Sequence, residues 1–172
     1  MNYMKLDLGS GRNKREGFLG VDISPDCDAD IVHDLRIAPW PFDNEAVDEV
    51  HCAHFFEHLT GAERVVFMSE LYRVLKPGAK ATLITPYWSS MGAVQDPTHQ
   101  WPPIAQGSYY YFNKEWREHV RIGHYLIDCD FDLRFEFILQ KDWQELPPPQ
   151  QQFAVRHYLN VVEELIAILT RR

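Results

Sequence analysis

The short run from Met4 to Leu8 ends in Gly9-Ser10-Gly11. That pattern reads as a buried strand entering a tight turn. Two glycines there let backbone amides approach a ligand closely, because no side chain stands in the way. The dinucleotide-binding fingerprint needs a third glycine three residues later, and Lys14 occupies that place. A pyrophosphate site is therefore disfavoured.

The segments that follow define an α/β order. Phe18–Ile23 reads as a second strand, closed by Ser24-Pro25-Asp26, and Ala29–His33 as a third. Ala38–Asn44 is a proline-punctuated loop, and Val47–Ala53 a fourth strand. Thr60-Gly61-Ala62-Glu63 is a capping box that opens a helix to about Leu75. Lys76-Pro77-Gly78 stops that helix, and Ala79–Thr85 is a fifth strand ended by Pro86. Ser89–Gly107 reads as loop, and Asn113–His119 as a short helix. Two strands are expected between Val120 and Trp143, one on each side of Asp130; the second, Phe131–Leu139, alternates apolar and polar. Three prolines, Pro147 to Pro149, and three glutamines read as a linker. Val155, Leu159, Val162, Ile166 and Leu169 then predict a C-terminal amphipathic helix.

This order predicts a mostly parallel sheet with an antiparallel strand near the C-terminal end. Residues 1–146 would form the ligand-binding body, with 147–172 as linker and final helix of the same domain. Gly11 to Phe18 leaves room for barely one helical turn, so the first helix is reduced. The final helix would pack on its own domain or form a homodimer contact.

Bulk properties narrow the function. The formal net charge is -8, which disfavours non-specific binding of nucleic acid. The three cysteines are widely spaced with no CxxC pair, as expected of reduced thiols in the cytoplasm. No apolar run reaches the length of a membrane span, and the N-terminus lacks a signal-peptide core.

Asp22 falls at the tip of the second strand, where a carboxylate can accept hydrogen bonds from two ribose hydroxyls. Asp34 falls just beyond the third, at the same sheet edge. Taken with LDLGSG, GVDIS, Glu57-His58 and the L-K-P-G element, these segments resemble the class I S-adenosylmethionine-dependent methyltransferases, closest to the small methyltransferase domain 11 type. The resemblance runs from about Met4 to Pro86 and implies a Rossmann-like three-layer sandwich that binds S-adenosylmethionine. It implies that Gly9 and Gly11 line the methionine moiety, with Asp7 and Ser10 beside them in the motif. Asp22, next to Ile23, would hold the ribose; Asp34 and Leu35 would flank the adenine; Ala53 and His54 would lie under the cofactor.

Methyl transfer to a small molecule, a nucleotide or a sugar is the activity this implies. Two alternatives are a non-catalytic protein binding S-adenosylmethionine or S-adenosylhomocysteine, and a dinucleotide or nucleotide-sugar enzyme on a similar sheet. A nucleophile with a high pKa would need a base, and His99, with His54 behind it, is the candidate. Tyr87, Asp96, Trp101 and Tyr109 are the candidate acceptor contacts. For the aromatic run that includes Tyr109, packing in the core is the competing reading. His51, Cys52, His54, Glu57 and His58 show no recognisable zinc spacing, so no metal is expected.

Overall fold

The computed structural model describes residues 3–27 and 29–172; Met1, Asn2 and Asp28 lie outside the described residues. Seven strands form one sheet in the order β3-β2-β1-β4-β5-β7-β6. They are β1 Lys5–Leu8, β2 Leu19–Asp22, β3 Ile31–Val32, β4 Val47–Ala53, β5 Leu75–Pro86, β6 Phe131–Leu139 and β7 Val162–Arg171. β1 to β5 are parallel to their neighbours, while β7 runs antiparallel between β5 and β6. The carboxyl tips of β1, β2 and β4 therefore point to one rim.

Strand alternation and register divide the sheet into two unlike faces. One carries Leu6, Leu8, Val21, Val50, Leu83, Ala167 and Leu169, each at most 1% exposed. It meets the helix α1, Gly61–Val74, whose Phe67, Met68, Leu71 and Val74 are buried. The expected capping box holds α1 at its start: Glu63 N–H donates to Thr60 Oγ1, and Thr60 N–H donates to Glu63 Oε2 at 2.8 Å. The other face carries His51, Thr82, Ile84, Ile166 and Ile168, all only partly buried. Among the described residues no helix lies between β1 and β4, so the crossovers there are loops.

The C-terminal segment differs from the expected amphipathic helix. Pro148–His157 form a helix, and the strand β7 follows. A run such as Leu165-Ile166-Ala167-Ile168-Leu169 satisfies helical and strand patterns alike. Its isoleucines suit a strand, and β5 and β6 supply ladders on both edges. The proline stretch is thus no linker, because Pro148 sits in the first turn of a helix, where its missing N–H costs nothing. A dimer through a C-terminal helix loses its basis, since the segment is an inner strand. The strand expected just before Asp130 is also absent: Arg121 adopts φ 60° and the chain to 130 turns without pairing. The fifth strand begins earlier than expected, at Leu75, and carries Lys76-Pro77-Gly78 within it, with a register shift against β4.

Candidate cofactor cleft and acceptor cavity

The tips of β1 and β2 are tied together by backbone. Gly9 N–H donates to Val21 O at 2.8 Å, and Gly11 N–H donates to Asp22 Oδ2 at 2.9 Å. Ser24 N–H donates to Asp22 Oδ1 at 2.9 Å. Each carboxylate oxygen keeps a second acceptor site for a ligand hydroxyl. Gly9 has φ 68°, and a Cβ there would lie 2.7 Å from the Phe55 ring. Both its conformation and its closeness to Phe55 require glycine.

A cleft of about 210 Å³ opens at these tips. Gly9, Asp22, Ile23, Asp34 and Leu35 line it, together with His33, Arg36, Phe55, His58 and Leu59. The sequence motifs point to the first five. Of the others, His58 belongs to the Glu57-His58 element, while His33 and Arg36 flank Asp34 and Leu35, and Phe55 and Leu59 lie in the turn after β4 and carry no pattern of their own.

Several expected contacts fall elsewhere. Asp7 is on the far side of β1, where its Oδ2 accepts from Arg15 N–H at 2.7 Å. Ser10 Oγ is buried beside Gly20. Both shape the loop after β1 rather than line the cleft: alternation turns Asp7 to the face opposite Leu6 and Leu8, and Ser10 lies in the turn beyond the strand. Asp34 lines the cleft, but its carboxylate is held by the Arg36 guanidinium through two 2.8 Å hydrogen bonds. That pairing keeps its pKa below the ordinary aspartate value. Ala53 ends β4 in partial burial, paired with Ile84.

A second cavity, of about 450 Å³, adjoins the cleft, and His58 lines both. Its walls include His54, Glu57, Ser90, Asp96, His99 and Glu164. Both candidate bases are therefore brought to one cavity. His54 sits at φ 54°, a conformation rare for a histidine, with its N–H on Ile84 O at 2.9 Å. Its ring lies between two carboxylates, Nδ1 3.4 Å from Glu57 and Nε2 3.0 Å from Glu164. These hold its pKa above the ordinary imidazole value, Glu57 contributing most. His99 Nδ1 lies 3.2 Å from Ala93 O.

Buried Arg64 fixes the loop that carries His99. Its guanidinium donates to the carbonyls of Pro102, Gln100 and Glu57 at 2.8, 3.1 and 3.4 Å. Gln100 N–H adds a bond to Glu57 O at 2.9 Å. Burial pushes the pKa of Arg64 down, as expected for a cation facing carbonyls instead of water.

Of the acceptor contacts expected, Asp96 lines this cavity. Trp101 lines a third, apolar cavity of about 670 Å³ with Trp88, Met91, Val94 and Leu159. Ser90 and Met91 belong to both. Tyr109 is fully buried and stacks on Phe56 at 5.5 Å, so it belongs to the core. Tyr87 lines neither cavity, and its hydroxyl donates to Gln106 Oε1 at 3.1 Å.

The histidines divide by face. His51 lies on the side of β4 with Asp7, and its Nδ1 is 3.2 Å from the Arg15 guanidinium. Cys52 is buried in the core, which raises its pKa strongly. Glu57, His58 and His99 instead converge, each offering a ligand atom within 4.8 Å of the others. The sequence conceals this cluster because His99 arrives from a different loop.

Residues 6–83 match the family model described as a methyltransferase domain. The chain covers 98% of its length on a SAM-dependent methyltransferase from Archaeoglobus fulgidus and 86% of that protein, at TM-score 0.72 and 20% identity. The fold is that of the class I methyltransferases. In a Haloferax volcanii complex of the Trm112 methyltransferase activator with a putative methyltransferase, the matched chain gives TM-score 0.55 and 19% identity, covering 98% of this chain and 82% of that one. Phosphoethanolamine N-methyltransferase 2 of Haemonchus contortus, in complex with S-adenosyl-L-methionine, gives TM-score 0.53 and 13% identity, covering 99% of this chain and 49% of that one. No curated protein matches the sequence. The methyltransferase sheet order explains why the cleft lies where it does, at the carboxyl rim beside the first strand.

Proposed function

We propose that the protein transfers the methyl group of S-adenosylmethionine to a small-molecule acceptor. The observation that carries this reading is the coupling of Gly9, Gly11 and Asp22 at adjoining strand tips, where the Gly11 N–H meets the Asp22 carboxylate. Asp22 is assigned to the ribose hydroxyls, and Leu35 and Ile23 to the adenine walls. The 210 Å³ cleft alone is smaller than the usual ligand cavity of about 300–1,000 Å³. The cofactor would fill it with adenosine and pass His58 into the larger cavity, bringing the sulfonium to the acceptor.

The reaction asks little covalent chemistry of the protein. The acceptor atom bonds to the methyl carbon as the sulfur–methyl bond breaks, and the sulfonium becomes a neutral thioether. Alignment of the two partners and exclusion of water supply most of the acceleration. An acceptor that starts protonated needs somewhere to put its proton. Of the three imidazoles on the cavity wall, His54 and His99 are the ones assigned to take it.

The acceptor cavity is polar on one side and continues into the apolar cavity of Trp88 and Trp101. A small molecule with a polar reacting end and a ring or short chain suits both walls. A nucleoside fits this description better than a bare sugar, which would leave the apolar wall uncovered. Large nucleic acid is disfavoured by the net charge of -8. The described cysteines Cys27, Cys52 and Cys129 are unpaired, in keeping with a reducing cytoplasm. No helix among the described residues is long and apolar enough to cross a membrane.

Calorimetric titration with S-adenosylmethionine, S-adenosylhomocysteine and NAD tests the reading. We expect the two adenosyl sulfur compounds to bind and NAD not to. Asp22→Ala should weaken them at least tenfold, and normal binding by that variant would remove the ribose assignment. Cofactor binding with no methyl transfer across a panel of hydroxyl, amine and thiol acceptors would favour a binding-only protein.

A further inference from the structure

Glu57 is 4% exposed, yet neither of its carboxylate oxygens has a hydrogen-bond partner. His54 approaches one of them, at 3.4 Å, without hydrogen-bond alignment. A buried carboxylate left in this state costs several kcal/mol unless a cation or proton answers it. Arg64 does not, because its bonds go to main-chain carbonyls, and His54 faces only one of the two oxygens, leaving the other unmatched.

The two imidazoles beside it are prepared for one particular partner. Thr98 Oγ1 is 2.7 Å from Asp96 Oδ1 and 3.0 Å from His58 Nδ1. A carboxylate only accepts, so the hydroxyl proton goes to Asp96, and Oγ1 must accept from His58 Nδ1–H. His99 Nδ1 faces the Ala93 carbonyl, which also only accepts, so Nδ1 carries the proton there too. Each ring in its neutral form then has an unprotonated Nε2; that of His99 has the Asp96 carboxylate 3.8 Å away, beyond hydrogen-bond reach. A histidine whose distal N–H is fixed by a carbonyl or hydroxyl is in the state that ligates metals. The rings pack edge to face at 4.8 Å between centroids, which places two such donors beside one anionic donor.

We propose that Glu57, His58 and His99 bind a divalent first-row transition metal at the junction of the cofactor cleft and the acceptor cavity. Two imidazoles and one carboxylate select such an ion over magnesium or calcium, which prefer oxygen donors. Three protein ligands leave coordination positions open toward the cavity. Thr98 and the Ala93 carbonyl serve as positioning groups that orient the rings. His99 is in this arrangement a ligand and not a base, which leaves the proton to His54. One consequence rests on the function proposed above: the acceptor would present an oxygen, such as a hydroxyl or carboxylate, to complete the coordination.

The test uses tag-free full-length protein stripped with a chelator and titrated separately with Zn²⁺, Mn²⁺ and Co²⁺. Calorimetry gives stoichiometry, and visible absorption of the Co²⁺ form reports nitrogen ligation. S-adenosylhomocysteine binding is measured on the same samples. We expect one ion per chain at micromolar or tighter affinity. His58→Ala and His99→Ala should each weaken it about 100-fold or more, and Thr98→Val about tenfold; His99→Ala and Thr98→Val, whose side chains do not line the cofactor cleft, should still bind S-adenosylhomocysteine. His124→Ala, outside the cluster, should change nothing. Uptake only at millimolar metal, or uptake unaffected by His58→Ala and His99→Ala, overturns the proposal. Should either variant fail to bind S-adenosylhomocysteine, the wild-type Co²⁺ spectrum decides: bands of a hydrated ion overturn the site. Loss of the metal result with cofactor binding intact leaves the methyltransferase reading standing, and the reverse result separates them equally.

Discussion

The proposed cofactor cleft and the proposed acceptor cavity share His58 but are built by different means. The cleft is built around strand tips, where Gly9, Gly11 and Asp22 are locked by main-chain bonds, and the segments after β3 and β4 complete its wall. The cavity is made of side chains gathered from the β4 tip, the loop at 96–100 and β7, and held by Arg64. A backbone-built site tolerates few substitutions but is fixed by the fold. A side-chain-built site can change its chemistry while the fold persists.

The difference predicts that damage to the two halves should separate. Gly9→Ala should be the most severe change. It places a methyl group 2.7 Å from Phe55 in a left-handed backbone, costing about 2–4 kcal/mol, and should abolish cofactor binding in calorimetry. Retained binding would mean that the cleft is less rigid than its bonds suggest. Arg64→Met should come next, at about 2–3 kcal/mol by chemical denaturation, because buried carbonyls lose their donors. Its cofactor affinity should stay within about threefold of wild type while methyl transfer falls, and a parallel loss of both would break the comparison.

Thr98→Val should cost about 1 kcal/mol or less, since the site is near the surface, yet slow turnover by freeing the His58 ring. The smallest effect belongs to Arg36→Ala. The folded Asp34 pKa lies below its unfolded value because of Arg36, so this pair stabilises the protein above the ordinary carboxylate range. That contribution is lost as pH falls through the lowered pKa. The pair is open to solvent on the Arg36 side and screened, so the variant should lower Tm by about a degree at pH 7, and by less as the pH falls below the ordinary carboxylate range.

The same contrast explains what could be read from the sequence. Residues in the cleft announce themselves because glycine and aspartate at a strand tip have few other uses, and Gly9, Asp22 and Leu35 are indeed at its wall. The Thr60 capping box and the strand Val47–Ala53 were equally legible, being local in origin. The acceptor side was not. His99 meets Glu57 and His58 only through the loop that Arg64 anchors, and Tyr109 looks like a pocket aromatic until Phe56 covers it. Asp7 and Ser10 lie in the motif, but the pleat turns Asp7 away from the cleft and Ser10 Oγ is tucked beside Gly20. For β7, the apolar run admits both periodicities, and only the vacant ladders of β5 and β6 choose between them.

The loops that replace helices between β1 and β4 change what binding does to the molecule. Gly20 N–H and Lys14 both reach Asp30, and Asp7 holds Arg15, so polar ties between loops stand beside the ladders of the first three strands where other connections would place a helix. A ligand gripping Gly9, Asp22 and Leu35 together would supply cross-bracing that the chain itself omits. Cofactor at a hundred times its Kd adds about 2.7 kcal/mol to stability, and amide exchange should slow first in these three strands. Their rigidity would then track cofactor supply, making the occupied protein a sturdier object than the empty one.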